Sequence, residues 1–138
     1  MAGIPPDPLR ATGSPPAQGH IDMVVAVAVF DFHLPYCRGL KEKRGFVRPL
    51  KARLRGDFEI SAAEVAHQDL LQRAVVALAA VGADREAIEP LLAKVTEYVE
   101  RYAEETGAEI ASFRHEFLAY GDVGSLSSSF GAAGAPPS

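Results

Sequence analysis

The chain is poor in the features that mark secreted, membrane and disulfide-bonded proteins. Its 138 residues include one cysteine, which excludes an internal disulfide and any zinc site built from cysteine clusters. The longest apolar runs, 23–30 and 74–81, are far too short to span a bilayer. The N-terminus lacks the basic start and apolar core of a signal peptide. We therefore expect a cytoplasmic protein with no membrane partner.

Motifs that carry catalysis, phosphate binding or metal binding are also missing. The sequence has no glycine-rich phosphate loop, no nucleophile elbow and no HxxxH or HExxH spacing. His67 and Asp69, which His33 can approach, are more typical of a polar turn than of a metal site. Cys37 precedes Arg38 near a predicted helix start, where a thiol pKa is lowered, but no base accompanies it. We expect no catalytic residue, no metal and no cofactor.

The two ends of the chain differ in composition from the middle. Residues 1–22 and 121–138 are rich in Pro, Gly, Ala and Ser and show no apolar periodicity, so we predict that both are disordered. Met23 is an alternative start of the protein. Residues 23–120 then form a single domain.

Six elements are predicted within this domain. Alternating or continuous apolar patterns favour strands at 23–33, 58–65, 71–82 and 108–120, and apolar spacing of three and four favours helices at 40–56 and 84–107. The order β-α-β-β-α-β is typical of an α+β, ferredoxin-like sandwich. We expect a four-stranded antiparallel sheet in the order 4-1-3-2 with both helices on one face.

The first helix shows the clearest local signals. Gly39 stands at its N-cap, Glu42 supplies half of a capping box, and Pro49 is an irregularity in its interior. Pro90 is a similar irregularity in the second helix. The predicted buried stripe of the first helix consists of Leu40, Val47, Leu50 and Leu54.

Three segments resemble a known family. They are "MVVAVAVFDFHLP", "GLKEKRGFVRPLKARLRGDFEISAAEV" and "HQDLLQRAVVALAAVGAD", and they are similar to the YlxP-like proteins, a bacterial domain of unknown function (number 503). The resemblance covers roughly 23–118. It implies a ferredoxin-like fold and, because the family's genes often lie near translation and ribosome-maturation genes, a connection with RNA or the ribosome. It implies no catalytic residues. Gly39 and Leu71 depart from the family pattern, which often has Ser and Trp there.

Positive charge is concentrated in the first helix. Eight of the 14 lysines and arginines lie between Arg38 and Arg55, although the chain has a net charge of −4. Lys41, Arg44, Arg48, Lys51 and Arg55 are spaced 3, 4, 3 and 4, which places them on one side of the helix. This pattern predicts a basic ridge that could follow a nucleic-acid backbone.

The expected topology also brings the start of this helix to the 67–73 hairpin, where its N-terminus and nearby bases predict an anion site. The alternative is that Glu42 and Asp69 neutralise these bases. The candidate anion- or RNA-binding residues are Arg38, Lys41, Lys43, Arg44, Arg48, Lys51, Arg55, His67, Gln68 and Arg73.

Three functions remain open at this point. The first is a non-catalytic RNA- or ribosome-associated domain; with no aromatic residue in the strand "AVVALAAV", it would not stack bases on its sheet. The second is a small-molecule-binding or regulatory domain that forms a homodimer, because the strands are apolar on both faces. The third, an enzyme, is the least favoured. The ridge could also be a solvated face, or it could pair with the acidic second helix.

Overall fold

The computed structural model describes residues 22–121, and the predicted disordered segments fall almost entirely outside this range. The elements are β1 (Met23–His33), α1 (Leu40–Asp57), β2 (Ser61–Ala66), β3 (Arg73–Gly82), α2 (Arg85–Thr106) and β4 (Glu109–Tyr120). The order confirms the predicted β-α-β-β-α-β chain. Neither helix is long and apolar enough to cross a membrane.

The four strands form one antiparallel sheet in the order β2-β3-β1-β4. This is the predicted order 4-1-3-2 counted from the other edge, so the ferredoxin-like arrangement is confirmed. β1 and β3 are central, and β2 and β4 are the two edges. The register sets Phe30 of β1 opposite Val76 of β3 and Phe113 of β4.

The core lies between the helix-facing side of the sheet and the two helices. Residues of β1 alternate strictly between buried and half-buried, since successive side chains point to opposite faces. Phe32 meets Phe46 of α1 at a ring-centroid distance of 4.9 Å. The Tyr102 hydroxyl of α2 donates to the Phe46 carbonyl at 2.7 Å and joins the two helices.

The centre of the opposite sheet face is apolar, and neither α1 nor α2 packs on it. The half-buried Val25, Val27 and Val29 of β1 lie there beside Ala77 and Ala79 of β3. Among residues 22–121, no other element covers these side chains. The prediction that the strands are apolar on both faces is therefore confirmed.

Two local predictions were wrong. The strand predicted at 58–65 begins only at Ser61, because Glu59 has a left-handed backbone with φ of 56° and the Ile60 amide still donates to the Leu54 carbonyl. Leu40, predicted to be buried, is 46% exposed, and the stripe contains Phe46 instead. Both prolines lie inside continuous helices.

Candidate nucleic-acid interface

A buried lysine joins the basic helix to the β2–β3 hairpin. The side chain of Lys43 is 3% exposed, and its ammonium lies 3.1 Å from the Glu64 carboxylate. It also donates to the carbonyls of His67 and Leu70, each at 2.6 Å. His67 has a positive φ of 58°, and its carbonyl also accepts from the Leu70 amide. The ammonium therefore fixes the turn against α1.

A second set of contacts lies at the same end of the sheet, where β1 ends and β3 begins. The side-chain amide of Gln72 donates to the carbonyls of Pro35 and Cys37, and the Leu34 amide donates to the Gln72 carbonyl at 2.9 Å. The β1–α1 connection and the hairpin are thus held together. The start of α1 and the 67–73 hairpin therefore lie together at one end of the sheet, as the sequence predicted.

The N-terminus of α1 already has an anionic partner. Gly39 is the N-cap and makes no side-chain capping bond. Instead, the carboxylate of Glu42 accepts a hydrogen bond from the Arg38 amide. Because a carboxylate occupies the positive end of the helix, this position favours the alternative in which Glu42 neutralises the site over binding of an external anion.

A polar groove runs between α1 and β2, one to three turns further along the helix. Its rim carries three cationic side chains, of which Arg44 and Arg48 are exposed and Lys51 is half-buried. No ion pair involves any of the three among residues 22–121. The lining residues are Leu40, Lys43, Arg44, Val47, Arg48, Lys51, Glu64 and Gln68.

The electrostatics of this groove favour an anion. Glu64 is the one acidic residue in its lining, and its charge is balanced by Lys43 at 3.1 Å. Within the part of the chain that the structure describes, the three rim cations are therefore left without a counter-charge. An α-helix rises about 1.5 Å per residue, so positions 44 to 51 span about 10 Å.

The other predicted residues fall into two groups. Arg38 and Lys41 are exposed near the start of α1, and His67 and Gln68 are exposed on the hairpin, where Gln68 donates to the Glu64 carbonyl at 3.1 Å. The remaining cations are already engaged. Lys43 is buried, Arg55 donates twice to the Ala62 carbonyl, and Arg73 forms a bidentate pair with Asp31.

The acidic helix α2 does not neutralise the ridge. In the described part of the chain no ion pair joins α1 to α2. Arg53 pairs with Asp57 within α1 and lies over the Tyr98 ring at 5.1 Å, and Arg85 pairs with Glu89 within α2. The alternative in which the two helices pair through their charges therefore has no support in these contacts.

The residues considered for metal binding and thiol chemistry are placed otherwise. Within residues 22–121, no three His, Cys, Asp or Glu side chains cluster as metal ligands. His33 bonds to Glu109 at 3.0 Å, away from His67. Cys37 is 1% exposed, and burial raises its thiol pKa, followed by the negative charge of Glu42. The expectation that the neighbours of Cys37 lower its pKa was therefore wrong.

Sequence reasoning missed Glu64, which neutralises the one buried lysine. Its signal was available: Glu64 is the only charge in the β2 segment "SAAEVA", and a lone acid in an apolar strand commonly marks a buried partner. Lys43 also lay on the apolar stripe, three and four residues before Phe46 and Val47.

The chain resembles several known proteins. The profile of a family described as "Protein of unknown function (DUF503)" matches residues 25–114. The "Uncharacterized protein YlxP" of Bacillus subtilis (strain 168) is 32% identical over 65 residues, which are 47% of this chain and 71% of that protein.

Solved structures give weaker likenesses. A C-terminal segment of the alpha subunit of aIF2 from Pyrococcus abyssi has a TM-score of 0.43 at 17% identity, over 71% of this chain and 51% of that one. The de novo designed protein Foldit4 has a TM-score of 0.40 at 11% identity, over 70% of this chain and 96% of that one. Because both scores are below 0.5, these likenesses carry no argument.

Proposed function

Because this chain belongs to the DUF503 family of proteins of unknown function, we propose its function from its surface: it is a non-catalytic domain that binds RNA, free or in a ribosomal particle. The observation that carries this proposal is the row Arg44, Arg48 and Lys51 along one groove, which makes no ion pair among residues 22–121. Lys43, Arg55 and Arg73 stabilise the domain through internal contacts. No ion pair among residues 22–121 gives the row a comparable structural role.

The spacing of the row suits a phosphate backbone. On the scale of B-form DNA, where one strand carries a phosphate about every 3.4 Å of helix axis, a row of about 10 Å spans about three phosphates, which is the order of contacts expected on RNA. Arg38 and Lys41 extend the same positive surface toward the helix start, and His67 and Gln68 flank it on the hairpin. The contacts are therefore mainly with phosphates, which position a protein on RNA but do not read its sequence.

The centre of the open sheet face offers no surface on which RNA bases could stack. Domains of this fold that read single-stranded RNA stack bases on aromatic side chains of the central strands. The open face here presents Val27, Val29, Ala77 and Ala79 at its centre, and none of these can stack a base. Sequence preference is thus expected to be slight and salt dependence strong.

A second candidate function rests on the apolar centre of the open sheet face, which no element of residues 22–121 covers. A surface of this kind often marks an interaction site, which supports a regulatory or small-molecule-binding domain that works as a homodimer. A metabolite that raises the melting temperature would favour this second candidate.

The proposal is tested by co-sedimentation with ribosomal particles. The tagged full chain should pellet with the particles at low salt and remain in the supernatant at high salt, because counterion release dominates phosphate binding. The variant Arg44→Glu/Arg48→Glu should remain in the supernatant even at low salt, because it reverses two of the rim charges. A variant that carries Lys94→Glu and Arg101→Glu on the exposed side of α2 is its matched control with the same charge change and should pellet as the wild type does. Absence of the wild type from the pellet at low salt would contradict the proposal.

A further inference from the structure

One edge of the sheet is long, regular and without a neighbouring strand. β4 pairs with β1 alone, and its other edge faces no strand among residues 22–121. The pairing with β1 is irregular between Asp31 and Phe32 but regular from Ser112 to Tyr120. By contrast, β2 at the opposite edge has six residues, and a register shift interrupts it. An unpaired edge of this length is a template for another strand.

The side chains along this edge are complementary to themselves. Arg114 and Glu116 are exposed, lie on the open face of the sheet and make no ion pair in the described part of the chain. His115 lies between them in sequence but points to the helix-facing side, where its ring contacts Phe113 and Phe117 at centroid distances of 5.4 and 6.0 Å. About His115 the sequence thus has opposite charges at equal distances, Arg114 and Glu116, and aromatic residues at equal distances, Phe113 and Phe117.

We infer that two copies of this chain associate through antiparallel pairing of their β4 strands, centred on His115, into one continuous eight-stranded sheet. In this register Arg114 lies opposite Glu116 of the second copy, and Glu116 lies opposite its Arg114. On the other face Phe113 lies opposite Phe117 twice. Opposite charges and aromatic pairs in directly opposed positions stabilise antiparallel strands.

The neighbouring registers are less favourable. When the two-fold axis is perpendicular to the sheet, directly opposed residues of the two copies lie on the same face. Because side chains alternate between faces, the register can change only by two residues at a time. Centring the pair on Arg114 or Glu116 would oppose like charges at the axis, and centring it on Phe117 would leave both charges opposite apolar residues. Only the register on His115 opposes the two signs. This interface lies on the opposite edge of the sheet from β2 and its groove, so it does not rest on RNA binding.

Charge reversal tests the pairing. We expect the wild type to be a dimer by sedimentation equilibrium at high micromolar concentration. Arg114→Glu and Glu116→Arg should each weaken the dimer on the order of tenfold or more, because each converts two attractions into two repulsions. The double swap should restore it, and an equimolar mixture of the two single variants should form the heterodimer. Lys94→Glu is the matched control and should leave the dimer unchanged.

Cross-linking tests the register itself. Directly opposed residues of antiparallel strands have Cα atoms about 4.5–5.5 Å apart, which is within the range of a disulfide. His115→Cys should therefore form an intermolecular disulfide on mild oxidation, whereas Arg114→Cys alone should not, and the native Cys37 is buried. A monomeric wild type, or a dimer insensitive to both single reversals, would overturn the inference; the second result would assign association to another surface.

Discussion

The ammonium of Lys43 lies 3.1 Å from the carboxylate of Glu64, and the side chain of Lys43 is only 3% exposed. The ammonium also donates hydrogen bonds to the carbonyls of His67 and Leu70 at 2.6 Å, whereas its contact with Glu64 is an ion pair in which the carboxylate oxygen accepts no hydrogen bond. A buried charge is tolerated only when it is paired and hydrogen-bonded in this way. The pair therefore sets the position of the hairpin beside the basic groove.

Removal of the Lys43 charge should destabilise the domain. Lys43→Met leaves the Glu64 carboxylate and two carbonyls without their partner, and we expect a loss of about 2–4 kcal/mol in the free energy of unfolding. Urea denaturation followed by circular dichroism measures it. Lys51→Met, on the rim of the same groove, should change stability by less than about 0.5 kcal/mol. Equal stability of Lys43→Met and wild type would show that the ion pair contributes nothing.

A serine at the start of α1 should stabilise the protein. Gly39 is an N-cap with extended backbone, φ −152°, and a Cβ placed there meets no atom within 4 Å. In Gly39→Ser the new hydroxyl oxygen can accept a hydrogen bond from a backbone amide in the first turn of α1, and the unfolded chain loses the flexibility of glycine. We therefore expect the free energy of unfolding to rise by about 0.5 kcal/mol. Thermal unfolding measures the change.

The C-cap of α2 supplies the contrast to this substitution. Gly107 has a backbone φ of 85°, which residues other than glycine rarely adopt. Gly107→Ala should therefore lower the free energy of unfolding by about 1 kcal/mol. If Gly39→Ser destabilises the protein as Gly107→Ala does, the proposed cap geometry is wrong.

Alkaline pH should weaken the fold through Tyr102. Burial, and then the neighbouring Tyr98 and Tyr36, raises the pKa of Tyr102 from 10.0 to about 12. The folded state holds this proton more tightly than the unfolded chain, so the stabilisation is fully present below about pH 10 and is lost as pH rises toward 12. Burial also raises the pKa values of Tyr36 and Tyr98, which act in the same direction.

Urea unfolding from pH 8 to 11.5 tests this sign. Tyr102→Phe should be less stable by about 1 kcal/mol at pH 7, because the hydrogen bond to the Phe46 carbonyl is lost. Its unfolding free energy should also decline less steeply above pH 10 than that of wild type. An identical slope for the two proteins would mean that Tyr102 does not contribute to the pH dependence.

The sequence predicted the architecture well because its signals are periodic. The short, β-branched apolar run of β1 and the capped, amphipathic pattern of α2 indicate the class of each element, and the order of the elements limits the topology to one common fold. The start of β2 was missed because the left-handed turn at Glu59 depends on the Ile60 amide reaching back to Leu54, which is a tertiary constraint.

The candidate site was predicted less completely than the fold. Helical spacing identified the row Arg44, Arg48 and Lys51, because it depends on one element alone. It could not show that Lys43, predicted to bind an anion, is buried instead, since burial of Lys43 requires Glu64 and two carbonyls of the hairpin. The partners of Arg55 and Arg73 likewise belong to β2 and β1. Which cations remain unpaired is a property of packing between elements.

The salt dependence of RNA binding tests the central claim most directly. Wild type and the double variant Arg44→Glu/Arg48→Glu should be titrated with NaCl on one structured rRNA fragment, with Lys94→Glu/Arg101→Glu as the charge-matched control. We expect tight binding of wild type and control at low salt. For the double variant we expect much weaker binding and a log–log salt slope shallower by about 1.4 to 1.8, the value for two lost phosphate contacts. No binding of wild type at low salt, or equal weakening by the control, would contradict the account.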